Sequence, residues 1–327
     1  MRSKFSDCKY GMKAAPLYPD QMADRVDKFA KLGIDPVIEL YLFGVKDVFD
    51  PETLNVLCEN CKRFNAEYYV HFPVQDAEGY GVFDPAAHSD AYFEKVLDFS
   101  RKIGAKGIIM HRIFGIGILD NKEKAVQEFN ARLMQWGRMA YPLSIYLENY
   151  SFIWLPGEFK QDYVTSPLDH FFPWEITETI KFINDQKMQN ISVLVDIAHA
   201  VISANMFNLL KSNSVLRKDR RFSNIFAQDL ARAEHLSPKD FLVDGIASYF
   251  HVSDSFIWGP ADSLNDLDRY LYSEGLPIGK GNIDFVDLFS NVPERAIMMM
   301  EIVPENGSHA NNMDQLRAVE WFKLCKN

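Results

Sequence analysis

Hydrophobic positions along the chain follow two alternating rhythms. Eight short apolar runs stand out: CKYGMKAAP, DPVIELYLF, AEYYVHFPV, GIIMHRIFG, LSIYLENYS, ISVLVDIAH, ASYFHVSDS and AIMMMEIVP. GIIM, ISVLV and AIMMM are continuously apolar, as parallel strands covered on both faces are. Between the runs lie stretches with apolar residues at helical spacing. YPDQMADRVDKFAKLG carries an Asp as its expected cap and ends in Gly, DPETLNVLCENCKRFN opens on Asp-Pro, and AYFEKVLDFSRKIGAKG stops at Gly104. NKEKAVQEFNARLMQWGRMA, WEITETIKFINDQK, NIDFVDLFSNV and MDQLRAVEWFKL complete the series. Strands alternating with helices predict βαβ units and a parallel sheet. Eight of them predict an α/β chain closed into a (β/α)8 TIM barrel. The competing architecture, an open doubly wound sheet, would need a glycine fingerprint after the first strand, and none is there.

A barrel of this kind uses the whole chain, residues 1–327, as one domain, with long connections after strands five, six and seven. The first is the aromatic-rich SFIWLPGEFKQDYVTSPLDHFFPW. The second, 203–245, reads as largely helical. The third is SDSFIWGPADSLNDLDRYLYSEGLPIGKGN. Loops that follow barrel strands lie on the C-terminal face, where lids and binding loops belong. The same loops would also suit contacts in a homo-oligomer.

Composition narrows the partners. The net charge of −10 disfavours a nonspecific polyanion partner, so nucleic acid is not expected. The basic stretch Lys211, Arg217, Lys218, Arg220 and Arg221 reads as a solvated helix face. The chain has four cysteines, and its single CENC motif lacks the second pair that a zinc finger needs. So few cysteines, with no signal-like start, fit a reducing cytoplasm. No apolar run approaches the ~18 residues that span a bilayer, so no membrane role is expected.

The polar residues carry the chemistry. Strand three ends in His71, strand four in His111, strand five in Glu148, strand six in Asp196 followed by His199, strand seven in His251 and strand eight in Glu301. A lone histidine or glutamate at a strand end is usually a hydrogen-bonded core residue. Six consecutive strand ends are a different matter, because a parallel barrel brings them all to one mouth. Carboxylates crowded there repel one another strongly, and a divalent cation removes that repulsion. A mixture of Glu, Asp and His suits Zn²⁺, Mn²⁺ or Co²⁺. His199, just past its strand, is placed to reach a substrate or a further metal.

The stretches LEN at 147–149, VDIAH at 195–199, HVSDS at 251–255, PIGKGNIDF at 277–285 and MEIVPE near the end, in this order, resemble the xylose-isomerase-like TIM-barrel superfamily. That group includes sugar isomerases and epimerases and endonuclease IV. The resemblance implies one divalent metal (Mn²⁺, Zn²⁺, Mg²⁺ or Co²⁺) held by Glu148, Asp196, His251 and Glu301. It implies that Glu148 and Glu301 act as acid and base on opposite sides of a substrate carbon, and that His199 contacts a substrate oxygen. His71 and His111 match two further metal ligands of endonuclease IV. That enzyme also has Asp-x-His before its IGxG turn, where this chain has Ser273 and Gly275, so the third metal site of the nuclease is not expected.

The expected activity is therefore a metal-dependent isomerase or epimerase of a small sugar or related polyhydroxy carbonyl compound. Proton transfer would run through a cis-enediolate stabilised by the metal. Lys280 would help to orient oxygen atoms, and Trp154 and Trp258 would close over the sugar. Two other readings stand beside it: a two-metal phosphoesterase or nuclease using His71 and His111, and a non-catalytic sugar-binding barrel.

Overall fold

The computed structural model describes residues 5, 7–42, 46–72, 89–112, 122–151, 153–154, 164–165, 172–218, 227–243, 247–262, 264–293, 295–303 and 312–325. Eight strands form a closed barrel: β1 (Lys9–Ala14), β2 (Val37–Tyr41), β3 (Glu67–His71), β4 (Gly107–His111), β5 (Ser144–Glu148), β6 (Ile191–Asp196), β7 (Tyr249–Val252) and β8 (Ile297–Met300). Each pairs in parallel with its neighbours in chain order, and β8 closes on β1. This is the (β/α)8 architecture expected from the alternating pattern. A small antiparallel ladder, Ile153–Trp154 with Val164–Thr165, lies in the connection after β5.

Strand alternation sorts the side chains into two sets. One set, including Met12, Ile38, Leu40, Val70, Ile108, Met110, Ile145, Leu147, Val193, Val195, Phe250, Met298 and Met300, packs in the large apolar cluster shared with the helices. The other set fills the barrel. Its lower part is a second cluster of Val37, Tyr69, Ile109, Leu194, Tyr249 and Met299, with Tyr146 and Ile297 packed on it. Above that floor the same inward positions turn polar at Lys13, Glu39, His71, His111, Glu148, Asp196 and His251. Register places His111 beside Glu148 and Asp196 beside His251.

The main helices are α1 (Pro19–Leu32), α2 (Pro51–Lys62), α3 (Asp90–Lys102), α4 (Lys122–Ala140), α5 (Pro173–Asp185), α6 (Ile197–Ser212) and α7 (Met313–Leu324). Among the described residues, none is long and apolar enough to cross a membrane. Three differ from the pattern-based expectation. The cap of α1 is Tyr18, not an Asp: Pro19 takes the first helical position, and Asp20 falls inside the first turn, where a negative charge favours the helix dipole. Among the described residues of 203–245, the helical structure is divided: α6 ends at Ser212, and short turns of helix follow at Leu216–Lys218, Ala227–Leu230 and Pro238–Phe241. The helix expected over NIDFVDLFSNV shrinks to Phe285–Leu288, capped by Asp284. Of the basic stretch, Arg220 and Arg221 lie outside the described residues.

The turn PIGKG after β7 owes its glycines to one buried carboxylate. Asp254 accepts backbone N–H groups from Gly279 at 2.8 Å, Gly281 at 2.9 Å and Ser255 at 2.9 Å. Gly279 has φ +88°, which non-glycine residues rarely adopt. A Cβ on Gly281 would drive into the Ser255 carbonyl and the Asp254 carboxylate. Gly281→Ala is accordingly expected to destabilise the protein by about 1–3 kcal/mol, the usual scale for overpacking, read as a lower denaturation midpoint.

Candidate functional site

The mouth of the barrel is built at the hand-over from β6 to α6. Asp196 ends the strand and caps the helix that starts at the next residue: its Oδ1 accepts the backbone N–H of His199 at 2.6 Å. The other carboxylate oxygen, Oδ2, is buried without a hydrogen-bond donor among the described residues. Asn149, just past β5, locks this corner, its Oδ1 accepting from Asp196 N at 2.6 Å and its Nδ2 donating to Asp196 O at 3.1 Å. Helix α6 is buried from Ile197 to Leu210, which matches its largely apolar sequence.

Around Asp196 the predicted residues converge. Donor atoms of Glu148, Asp196, His251 and Glu301 all lie within 4.8 Å of one another. His251 Nδ1 is 2.8 Å from Glu148 Oε1, 2.6 Å from Glu301 Oε2 and 3.8 Å from Asp196 Oδ2. A second group, His71, His111 and Glu148, shares the same spacing. His71 Nε2 stands 3.1 Å from Glu148 Oε2, and His111 Nε2 stands 3.4 Å from the same oxygen. The Nδ1–H of His71 is donated to the Phe72 carbonyl at 3.0 Å, and its Nε2 is within hydrogen-bond distance of Glu148 Oε2. Oxygen and imidazole donors this close, with a buried carboxylate oxygen left over, fit a divalent cation.

Four residues at the mouth were not singled out by the sequence pattern. Glu39 projects from the middle of β2 and lies 2.8 Å from His251 Nε2. Lys13 on β1 bridges Glu39, at 3.1 Å, and Glu301, with which it makes a short ion pair. Glu274, between the Ser273 and Gly275 noted above, reaches His199 Nε2 at 3.3 Å, while His199 Nδ1 faces the Asn149 carbonyl at 2.9 Å. Tyr150 packs edge-on against both His111 and His199. A lysine and a glutamate in mid-strand, at the alternation phase of the barrel interior, were the available signal for Lys13 and Glu39. Glu274 comes from a distant loop and left none.

The remaining predicted residues lie apart from this cluster or beyond what is described. Trp258 is buried in the apolar packing around the barrel, with its backbone N–H donated to Asn205. Lys280 is exposed on the glycine turn. The side chain of Trp154 lies outside the described residues.

Burial and mutual charge set the protonation of the site. Burial pushes Glu39 up, but the charges of His251 and Lys13 more than reverse this and leave it at about 2. Burial likewise pushes Glu148 and Glu301 up. His111 and His251 around Glu148, and Lys13 and His251 around Glu301, hold both well below the usual carboxylate range. Asp196 goes the other way: burial, opposed by His199 and reinforced by Glu301 and Glu148, pushes it up to about 7. Burial lowers His111 to about 3, against the opposing pull of Glu148. For His199 and His251 burial also disfavours the charge, yet Asp196 and Glu274 for the former, and Glu148 and Glu39 for the latter, raise both well above the ordinary histidine value.

No known protein-family profile matches the chain, and no curated protein sequence matches it. Solved structures do. A 3-keto-D-glucoside 4-epimerase from E. coli aligns over 97% of this chain and 100% of its own, with TM-score 0.51 and 14% identity. A xylose isomerase domain protein from Alicyclobacillus acidocaldarius aligns over 96% and 98%, with TM-score 0.51 and 13% identity. The chain has the xylose-isomerase-like TIM-barrel fold. A D-allulose 3-epimerase from Methylomonas sp. shares this xylose-isomerase-like fold over 99% of this chain and 97% of its own, at TM-score 0.51 and 14% identity.

Because Glu39 is ionised in the folded chain down to about pH 2, against an ordinary value of 4.5, it adds stability that is fully present above pH 4.5 and is lost as pH falls through 2. The contribution is about 3 kcal/mol in order of magnitude. With a chelator present, the unfolding free energy of the wild type is expected to fall more steeply between pH 4.5 and 2.5 than that of Glu39→Gln. Parallel curves would contradict an ionised Glu39.

Proposed function

We propose that this chain is a metal-dependent isomerase or epimerase of a small polyhydroxy carbonyl compound, a sugar or close relative. The observation that carries the reading is the pairing of Glu148 and Glu301 on one imidazole nitrogen, His251 Nδ1, beside the buried, donor-free oxygen of Asp196. Glu148, Asp196, His251 and Glu301 would hold the cation. When bound, it supplies Lewis acidity, which polarises a carbonyl and acidifies the neighbouring C–H.

The protein's own groups then divide the work. One of the two glutamates removes the proton from the substrate carbon, and the other returns a proton from its side. Both are held well below the usual carboxylate range, so either can begin as the base, and its partner must first take up a proton from solvent before it returns one. Lys13 anchors Glu301, and His71 and His111 flank Glu148. His199, fixed through its Nδ1 and set in the first turn of α6, presents Nε2 to a substrate oxygen, with Glu274 beside it. The support from comparison is the shared fold with two enzymes that by name are epimerases of a keto-glucoside and of D-allulose. We keep the nuclease-like reading as the alternative because His71, His111 and Glu148 offer a second set of donors. One cation per chain favours the isomerase, and two favour hydrolysis of a phosphoester.

Two measurements test the proposal. Glu148→Gln and Glu301→Gln are each expected to slow solvent deuterium uptake at the substrate carbon by at least ~10²-fold in NMR, across a panel of keto- and aldo-sugars that the wild type exchanges. Unchanged exchange in both variants contradicts the acid–base assignment. Cation affinity is expected to fall as pH drops, because the cation must displace a proton from His251, raised above the ordinary histidine value, and below about pH 7 one from Asp196 as well. Below about pH 7 the slope should exceed about tenfold per pH unit, since more than one proton is displaced, measured by calorimetry with Mn²⁺.

A further inference from the structure

Glu39 is fully buried, yet the proton transfer described above gives it no task. Its surroundings are unusually well defined. Oε2 accepts the Tyr249 hydroxyl at 2.6 Å and lies 2.8 Å from His251 Nε2, while Oε1 lies 3.1 Å from Lys13 Nζ. With the Tyr249 hydroxyl donated to Oε2 and the Lys13 ammonium beside Oε1, the carboxyl group presents acceptor oxygens, so the nitrogen of His251 that faces it carries a hydrogen. In the cation-free chain Nδ1 faces two carboxylates and carries a hydrogen as well; once a cation displaces that hydrogen, the neutral ring has its lone pair on Nδ1. That is the atom facing Glu148 and Glu301, on the far side of the ring from Glu39.

Three elements fix this geometry. Tyr249 lies two residues before His251 on the same face of β7, so a single strand supplies both donors to Glu39 Oε2. Lys13 ties the other oxygen of Glu39 to β1 and also pairs with Glu301, so the carboxylate behind the imidazole and the carboxylate in front of it share one anchor. Tyr249 is itself wedged against Tyr69 and Tyr146 in the barrel floor.

We propose that Glu39 is a positioning residue: its carboxylate holds His251 as the Nε2–H tautomer and thereby turns the Nδ1 lone pair to the cation. The inference deepens the functional reading above and rests on it. Imidazole ligands generally donate their other N–H to a carboxylate or carbonyl, and loss of that partner costs about 10- to 100-fold in metal affinity. A carboxamide at this position is a poor substitute. Its NH₂ group would face either the Lys13 ammonium or the His251 N–H, and in both places a donor would meet a donor.

The test is titration of Mn²⁺ into cation-free wild type and Glu39→Gln by calorimetry, with no substrate present. Binding by the wild type and about 10- to 100-fold weaker binding by Glu39→Gln is the expected result. Equal affinities overturn the role of Glu39 and leave the functional reading standing. A wild type that binds no Mn²⁺ overturns both. Should Glu39→Gln fail to fold, ¹⁵N-histidine NMR of the Zn²⁺-loaded wild type decides the question. A hydrogen retained on His251 Nε2, with the ligation shift on Nδ1, is expected. Ligation through Nε2 overturns the inference.

Discussion

The architecture turns on a conflict of charge. Five carboxylates, those of Glu39, Glu148, Asp196, Glu274 and Glu301, gather at or just below one barrel mouth, and among the described residues a single ammonium, Lys13, stands with them. In a medium of low effective dielectric such a cluster is strongly self-repelling, so some positive charge must be supplied. The folded chain provides part of it by raising His251 and His199 towards the imidazolium form and by leaving Asp196 inclined to keep its proton. A divalent cation would replace these makeshift protons with one compact charge. The protonation pattern of the cation-free chain and the proposed chemistry are thus two responses to the same crowding.

The barrel makes that crowding sustainable. Carboxylates on neighbouring parallel strands are brought together by backbone hydrogen bonds that do not depend on side-chain charge, and the apolar cluster around the barrel stabilises the sheet independently of the mouth. Polar residues then occupy inward positions above a floor of aromatic and aliphatic side chains. The cap at Asp196 shows how closely scaffold and candidate site are joined: one carboxylate oxygen starts a helix and the other has no hydrogen-bond donor among the described residues. Asp254 in the loop after β7 plays a purely architectural counterpart, spending its oxygens on backbone N–H groups and shaping the glycine turn.

Much of this was legible in the chain because strand ends are punctuated. Each of His71, His111, Glu148, Asp196, His251 and Glu301 breaks or terminates an apolar run, and parallel closure is enough to bring such breaks together. Lys13 and Glu39 were overlooked because they sit inside their strands, flanked by apolar residues, where a charge reads as an exposed position on a half-solvated strand. Only closure of the barrel shows that their face points inward. Glu274 was hidden for another reason: its meeting with His199 depends on the path of a long loop, which no local periodicity encodes. Helix boundaries failed where local signals competed, as at Tyr18, where Pro19 claimed the first helical position; after Ser212 the described helical turns are short and separate.

Glu39 and Lys13 also alter how the site should be understood. A set of four donors at a barrel mouth describes where a cation would sit, but each donor must also be prevented from relaxing onto its neighbours. His251 has carboxylates on both sides of its ring, and without a fixed partner on Nε2 either nitrogen could serve as the ligand. The Tyr249–Glu39–Lys13 arrangement removes that freedom before any ligand arrives. Because Lys13 also holds Glu301, the orientation of the imidazole and the position of one proposed acid–base carboxylate share the same ammonium. Pre-organisation of this kind lowers the reorganisation that charge development would otherwise demand, which is where an enclosed polar site gains most over water.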